Sequence, residues 1–188
     1  MFKRNLLLAA AFAASGTGVL AQAVDGSGPN LVIEVAGAAN GTIVIDLLPD
    51  VAPLHVAQIT ALAASGAYDN VVFHRVIDGF MAQTGDVSNG KAGGDLSAAG
   101  TGGSTMPDIP AEFTKDLSFQ RGVVGMARSN DPNSANSQFF IMFAPGEFLD
   151  GQYTIVGNVI SGMDVVDAIQ RGEPPETPDV MTKVTVQP

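Results

Sequence analysis

The sequence predicts a mainly β protein: eight short antiparallel strands closed into a barrel and capped by two α-helices. Three observations carry this expectation. Twenty-two glycines and 11 prolines cut the 188-residue chain into short pieces, as closely spaced turns require. Between the breaks lie runs rich in Val, Ile, Phe and Thr, which suit a pleated, half-buried surface. Only two stretches carry a helical spacing of apolar residues. Apolar residues make up 46% of the chain, enough for a substantial core in one domain of ordinary size.

Taken in order, residues 24–30 form a flexible lead-in and residues 31–188 a single domain without internal repeat. LVIEVA (31–36) and TIVIDLL (42–48) are strands joined at Asn40-Gly41, a hairpin signal because both positions tolerate positive φ. Pro53 suits the first turn of a helix that runs to about Ser65, with Gly66 at its end. Val56, Ile59, Leu62 and Ala63 fall on one face of it, as packing against a sheet demands. A strand follows from Val71, passes a turn at Asp78-Gly79 and resumes with Phe80, Met81 and Gln83. Residues 87–111 lack periodicity and read as a long loop, a feature that in compact domains is usually functional or disordered. Strands return at 122–127, 138–143, 153–160 and 181–186, with a second helix from Gly162 to Gln170 that sets Val165, Val166 and Ile169 on one side.

Charge and composition exclude several classes. A net charge of −10 opposes nucleic-acid binding, which needs Lys and Arg to neutralise phosphates. The absence of cysteine removes disulfides, thiolate metal sites, a cysteine nucleophile and a lipid-modified N-terminal Cys. Two histidines, His55 and His74, are too few for a His-rich metal cluster.

Residues 1–23 have the three parts of a cleaved secretory signal: Lys3 and Arg4, the apolar stretch Leu6 to Ala14, and Ala21-Gln22-Ala23 as the cleavage site. The apolar stretch is far shorter than the roughly 18–20 residues needed to cross a bilayer.

No nucleophile elbow, phosphate-binding P-loop, zinc-protease helix or EF-hand loop is present. His74 reads most simply as a structural histidine bonded to backbone, although a hydrolytic triad with Asp86 and a serine can be written. Phe80, Met81 and Phe140, taken singly, are ordinary core residues. Arg75 is different: a guanidinium stays charged and is costly to bury without partners, yet it interrupts an apolar strand. It fits either a structural ion pair or a functional site.

The combination is more specific. FHRVIDGFMAQTGD (73–86), GTGG (100–103), MARSNDPNSANSQFFI (126–141) and EFLDGQYTIVGNVISGMDVVDAI (147–169) together resemble the cyclophilins, over nearly the whole chain from Leu31. That resemblance implies an eight-stranded barrel with two helices and peptidyl-prolyl cis–trans isomerase activity. It implies that Arg75 is the catalytic arginine, steadied by Gln83, and that Phe80, Met81, Phe140 and Leu149 form a proline pocket. The backbone of Arg128 would pair with an extended substrate, while Gly100 and Gln138 would line the neighbouring groove. Phe148 and Tyr153 stand where animal cytosolic members carry Trp and His, which resembles bacterial members and implies weak cyclosporin binding. No cofactor or metal is implied, and the expected partners are Pro-containing segments of unfolded or flexible proteins. With the leader, the resemblance gives a monomeric periplasmic enzyme that assists the folding of exported proteins. A module that merely holds Pro-containing segments is the alternative.

The leader generates a first expectation. Protein recovered from a bacterial periplasm should begin at Val24 by mass spectrometry; a chain that retains Met1 and sediments with the membrane would contradict it.

Overall fold

The structure, a computed structural model, describes residues 24–188; the signal sequence expected at 1–23 lies outside them. In chain order the elements are β1 (Asn30–Ala36), β2 (Gly41–Leu47), α1 (Pro53–Ala64), β3 (Val71–Val72), β4 (Arg75–Ile77), β5 (Met81–Thr84), β6 (Val123–Met126), β7 (Phe139–Met142), a 3₁₀ turn (Glu147–Leu149), β8 (Ile155–Ser161), α2 (Met163–Ala168) and β9 (Val180–Gln187).

The strands form one antiparallel sheet in the order β3-β9-β1-β2-β8-β6-β7-β5-β4. The expected closed barrel of eight strands is thus corrected to nine strands in an open, curled sheet. The reason lies in residues 71–77. Val71 and Val72 pair with β9, whereas Arg75–Ile77 pair with β5. At the break, Phe73 N–H donates to Asp179 O and His74 N–H to Gln83 O, so the chain changes partners within two residues. One expected strand becomes the two edge strands of the sheet, joined by chain rather than by ladder.

The first hairpin forms as expected, but its turn uses Gly37 (φ 145°) and Gly41 (φ 150°), and Asn40 keeps a negative φ. Pro53 does open α1, which buries Val56, Ile59, Leu62 and Ala63. The second helix is shorter than the sequence implies, six residues, with Val166 and Ile169 buried and Val165 partly so. Among the described residues no helix is long and apolar enough to cross a membrane.

Two apolar clusters share the sheet. The larger contains Ile33, Ile43, Ile45, Tyr68, Phe73, Ala82, Phe139 and Ile141, together with the buried face of α1. The smaller sits on the other face of β5, β6 and β7 and contains Met81, Phe119, Val123, Phe140, Met142, Leu149 and Ile155. Alternation along each strand divides the residues between the clusters, which explains why FFIM at 139–142 is apolar without interruption.

The long segment between β5 and β6 carries little regular structure, yet buried polar groups fix it. Asp86, fully buried, accepts from the backbone N–H groups of Ser88, Asn89, Gly100 and Gly102 and from the Ser88 hydroxyl. Asn136 accepts from Ser104 and donates to Met106 O and Asp108. Glu112 caps α1, accepting from Leu54 N–H, His55 N–H and the buried His55 ring.

Asp86 gives a pH expectation. Burial alone would raise its pKa, but the donors from Asn89, Gly102, Gly100 and Ser88 outweigh burial and hold it below the ordinary 3.8. A carboxylate depressed in the folded state stabilises it fully at neutral pH, and that stabilisation disappears as pH falls through the folded value. Asp86→Asn should therefore lose about 3 kcal/mol at pH 7, the range for a hydrogen-bonded buried charge, and lose less on acidification than the wild type. Urea unfolding at pH 7 and pH 3 measures both; equal acid sensitivity of the two proteins would contradict the assignment.

Candidate active site

The smaller apolar cluster opens to solvent as a pocket of about 290 Å³. Met81, Phe140 and Leu149 make its floor and are buried, while Phe80, Tyr153 and Phe148 form its walls. Phe80 and Phe148 face each other with ring centroids 5.7 Å apart. Phe140 meets Tyr153 edge to face at 5.8 Å and stacks on Phe119 behind it at 5.7 Å. These offset and edge-on arrangements are the ones aromatic quadrupoles favour. Phe148 is 65% exposed, so it is an outer wall that a ligand would cover. Gly125 permits this floor: a Cβ there would lie 2.5 Å from Phe140 and 2.6 Å from Phe119.

Sheet register brings the polar side chains to the same pocket. Arg75 lies opposite Gln83 on β5, Gln83 opposite Phe140 on β7, and Phe140 opposite Gly125 on β6. Residues directly across a sheet share a face, so this row sets the guanidinium beside the aromatic floor. One Arg75 Nη donates to Gln83 Oε1 at 3.4 Å, a long contact, and Nε donates to Glu173 at 2.8 Å. The sequence left open whether Arg75 is ion-paired or lines a site; it does both.

Gln83 continues a polar chain. Its amide donates to Gln138 Oε1 at 2.9 Å, and Gln138 donates to Gly100 O and Gly102 O at 3.0 and 2.7 Å. The N–H groups of those two glycines point to Asp86. A second cleft, about 300 Å³, adjoins the pocket across Gln83, Ala127 and Arg128, and includes Gly100, Ser134, Asn136 and Gln138. Arg128 follows β6, where the strand has ended. Its guanidinium lies 4.4 Å over the Tyr153 ring and donates to Gln152 O and Ser129 O.

All the residues singled out from the sequence therefore gather at one surface: Arg75, Gln83, Phe80, Met81, Arg128, Phe140, Phe148, Leu149 and Tyr153 at the apolar pocket, Gly100 and Gln138 at the adjoining cleft. Sequence reasoning missed Ala127, which lines both, and Glu173, 98 residues from Arg75 in the chain.

His74 is buried against Gly100, as a structural histidine would be, with the Val72 backbone and the Gln138 side chain as its polar neighbours. Burial holds its pKa below the usual value, with the Asp86 charge opposing that effect. The triad alternative finds no support, because Asp86 directs its oxygens to the loop donors rather than to His74. Among the described residues no group of three or more His, Asp or Glu side chains is placed to hold a metal ion.

The surface supplies an apolar pocket, a charged donor at its rim and an adjoining cleft lined by Gly100, Ser134, Asn136 and Gln138. Comparison with known proteins agrees. Residues 31–187 match the family described as cyclophilin type peptidyl-prolyl cis-trans isomerase/CLD. A probable peptidyl-prolyl cis-trans isomerase of Brucella suis is 53% identical over 99% of this chain and 97% of its own length. A cyclophilin from Hirschia baltica superposes with a TM-score of 0.71 at 29% identity, covering 83% of this chain and 73% of that one. A Cryptosporidium parvum cyclophilin type isomerase, solved in the presence of the dipeptide Ala-Pro, gives 0.73 at 26% identity, over 85% of this chain and 99% of the other. This chain belongs to the cyclophilin-type peptidyl-prolyl cis-trans isomerases.

Proposed function

We propose that the pocket of Met81, Phe140 and Leu149 holds the proline ring of an X-Pro segment while Arg75 stabilises the twisted amide nitrogen. One observation carries this reading: the Arg75-Gln83-Phe140 row sets a guanidinium beside an apolar pocket of about 290 Å³, with room for a proline ring. The Ala-Pro dipeptide used with the Cryptosporidium parvum relative supports Pro-containing peptides as substrates.

The chemistry follows from the amide bond. Rotation about a peptide C–N bond is opposed by about 18–20 kcal/mol, because the nitrogen lone pair is delocalised into the carbonyl. Twisting an X-Pro bond returns that lone pair to nitrogen. An N–H donor fixed at the pocket rim then binds the twisted state better than the planar one, and only such differential binding accelerates the reaction. A substrate seated against the aromatic walls would exclude water from the contact and strengthen it. No covalent intermediate or proton transfer is required.

Magnitudes set what each part must supply. The uncatalysed reaction takes tens to hundreds of seconds. An acceleration of about 10⁵-fold lowers the barrier by roughly 7 kcal/mol. A positioned donor in a dry site supplies about 3–4 kcal/mol. The remainder falls to holding the peptide in a part-twisted geometry, with the backbone near Arg128 and the cleft at Gly100 and Gln138 gripping the extended flanks.

With residues 1–23 read as a cleaved signal, the enzyme acts as a monomer in the periplasm on exported proteins whose folding waits on proline isomerisation. The slow rate of that step in unfolded chains is the physical reason such a catalyst is useful there.

Two substitutions test the site. Arg75→Ala should lower kcat/KM by roughly 10²–10³, equivalent to about 3–4 kcal/mol, and Arg75→Lys should fail to restore it because an ammonium cannot reproduce the planar fork. A protease-free isomerisation assay with thermal unfolding of the same samples decides this; a folded Arg75→Ala protein with near-normal turnover would end the assignment. Phe148→Trp adds an indole N–H at the exposed wall, worth about 0.5–1.5 kcal/mol per hydrogen bond. Cyclosporin should bind that variant several-fold more tightly while peptide turnover changes much less; unaltered cyclosporin affinity would show that Phe148 is not the determinant.

A further inference from the structure

We infer that Glu173 is a positioning residue for Arg75, fixing the guanidinium so that its outer edge faces the twisted amide. The inference rests on the reading of Arg75 as the donor to the amide nitrogen.

Gln83 alone is a weak anchor. Its contact with the Arg75 Nη is 3.4 Å, at the far limit of a hydrogen bond. The shorter contact is Nε to Glu173, at 2.8 Å. A guanidinium is planar, so one acceptor at Nε and another at an Nη fix the orientation of the whole fork. The edge not used by either partner is then free for substrate. Without Glu173 the long side chain, 42% exposed, has a single loose contact to hold it.

The backbone that carries Glu173 is itself held firmly. The residue before it, Gly172, exchanges two backbone hydrogen bonds of 2.8 Å with Val76, the neighbour of Arg75 on β4. Arg171, one residue earlier, lies 4.1 Å over the Phe143 ring, bonds Asp78 at 3.1 Å and donates to the carbonyls of Asp167 and Ile169. The segment bearing Glu173 is thus fixed at consecutive residues, Gly172 to the strand bearing Arg75 and Arg171 to the turn that follows it. A carboxylate on such a base keeps its place relative to the guanidinium, unlike one on a free surface loop. Glu173 also lines, with Arg75, Gln83 and Thr101, a second cleft that meets the proline pocket at Arg75 and Gln83. It therefore reaches the guanidinium at Nε without lining the proline pocket.

The pair is exposed on both sides, 42% and 51%, and exposed ion pairs contribute little to stability. Its effect should appear in rate rather than in folding. Glu173→Ala should lower kcat/KM for a short Pro peptide about tenfold, within the roughly 10²-fold that misplacing a group by about 1 Å costs. Affinity for the planar peptide should change less than about twofold, and the melting temperature by no more than about 2 °C. Glu173→Gln retains an acceptor for Nε and should recover most of the rate. In the Arg75→Ala background, Glu173→Ala should have no further effect.

Isomerisation rates, peptide affinity and melting temperature of the four variants, Glu173→Ala, Glu173→Gln, Arg75→Ala and the double Ala, separate the possibilities. If Arg75→Ala is slow but Glu173→Ala turns over normally, the inference fails and the reading of Arg75 stands. If Arg75→Ala itself turns over normally, that reading fails first. A double variant slower than Arg75→Ala, or a Gln variant as slow as the Ala variant, would also overturn positioning through the Nε contact.

Discussion

Strand alternation in β5 and β7 is the constraint on which the site depends. Ala82, Phe139 and Ile141 face the main core, while Met81, Phe140 and Met142 face the opposite side. Both sets must be covered, because exposing a large apolar side chain forfeits roughly 1.5–3 kcal/mol. Phe119, Leu149 and Ile155 cover most of the outer set. What they leave uncovered is the pocket, so an apolar recess arises from incomplete burial of a second small core. The register that fixes the floor also fixes the rim, since Arg75 and Gln83 share one cross-strand row with Phe140.

The polar side of the site is organised from the interior outwards. Buried Asp86 gathers the donors of the long loop, two of which belong to Gly100 and Gly102. Their carbonyls receive the Gln138 amide, Gln138 receives Gln83, and Gln83 receives Arg75. Each step is a hydrogen bond, and Gln83, on β5, ties the series to the sheet. A loop without regular structure is thereby coupled to the guanidinium, and Gly102 and Gly100 leave no room for a side chain beside Asp86 and His74 respectively. Glu173 completes the arrangement from the opposite direction.

Much of this was legible in the sequence. Local signals located α1 from Pro53 and the apolar face of Val56, Ile59, Leu62 and Ala63, and the uninterrupted FFIM run marked a strand. The motif around Arg75 and Phe140 named residues that the sheet register then brought together. Other features depend on distant partners and leave no local trace. The split of residues 71–77 into two edge strands is decided by competition between β9 and β5 for one chain. Asn40-Gly41 suggested a turn in which both residues take positive φ, but Ala39 N–H is held by buried Asp179, far away in the chain, and Gly37 and Gly41 take the positive-φ conformations instead. Glu173 sits in a Gly- and Pro-rich stretch with nothing nearby to mark it.

The central claim is that Arg75 distinguishes a twisted amide from a planar one. The most direct test is the affinity of wild type and Arg75→Ala for two ligands of equal size, a planar Ala-Pro peptide and an analogue whose prolyl linkage is locked in the twisted geometry with an acceptor at the nitrogen position. Differential binding predicts that the substitution weakens the twisted analogue by roughly 10²–10³ and the planar peptide less than about threefold. Equal losses for the two ligands would mean that Arg75 merely binds peptide, and that stabilisation of the twisted amide by its guanidinium is not the source of catalysis.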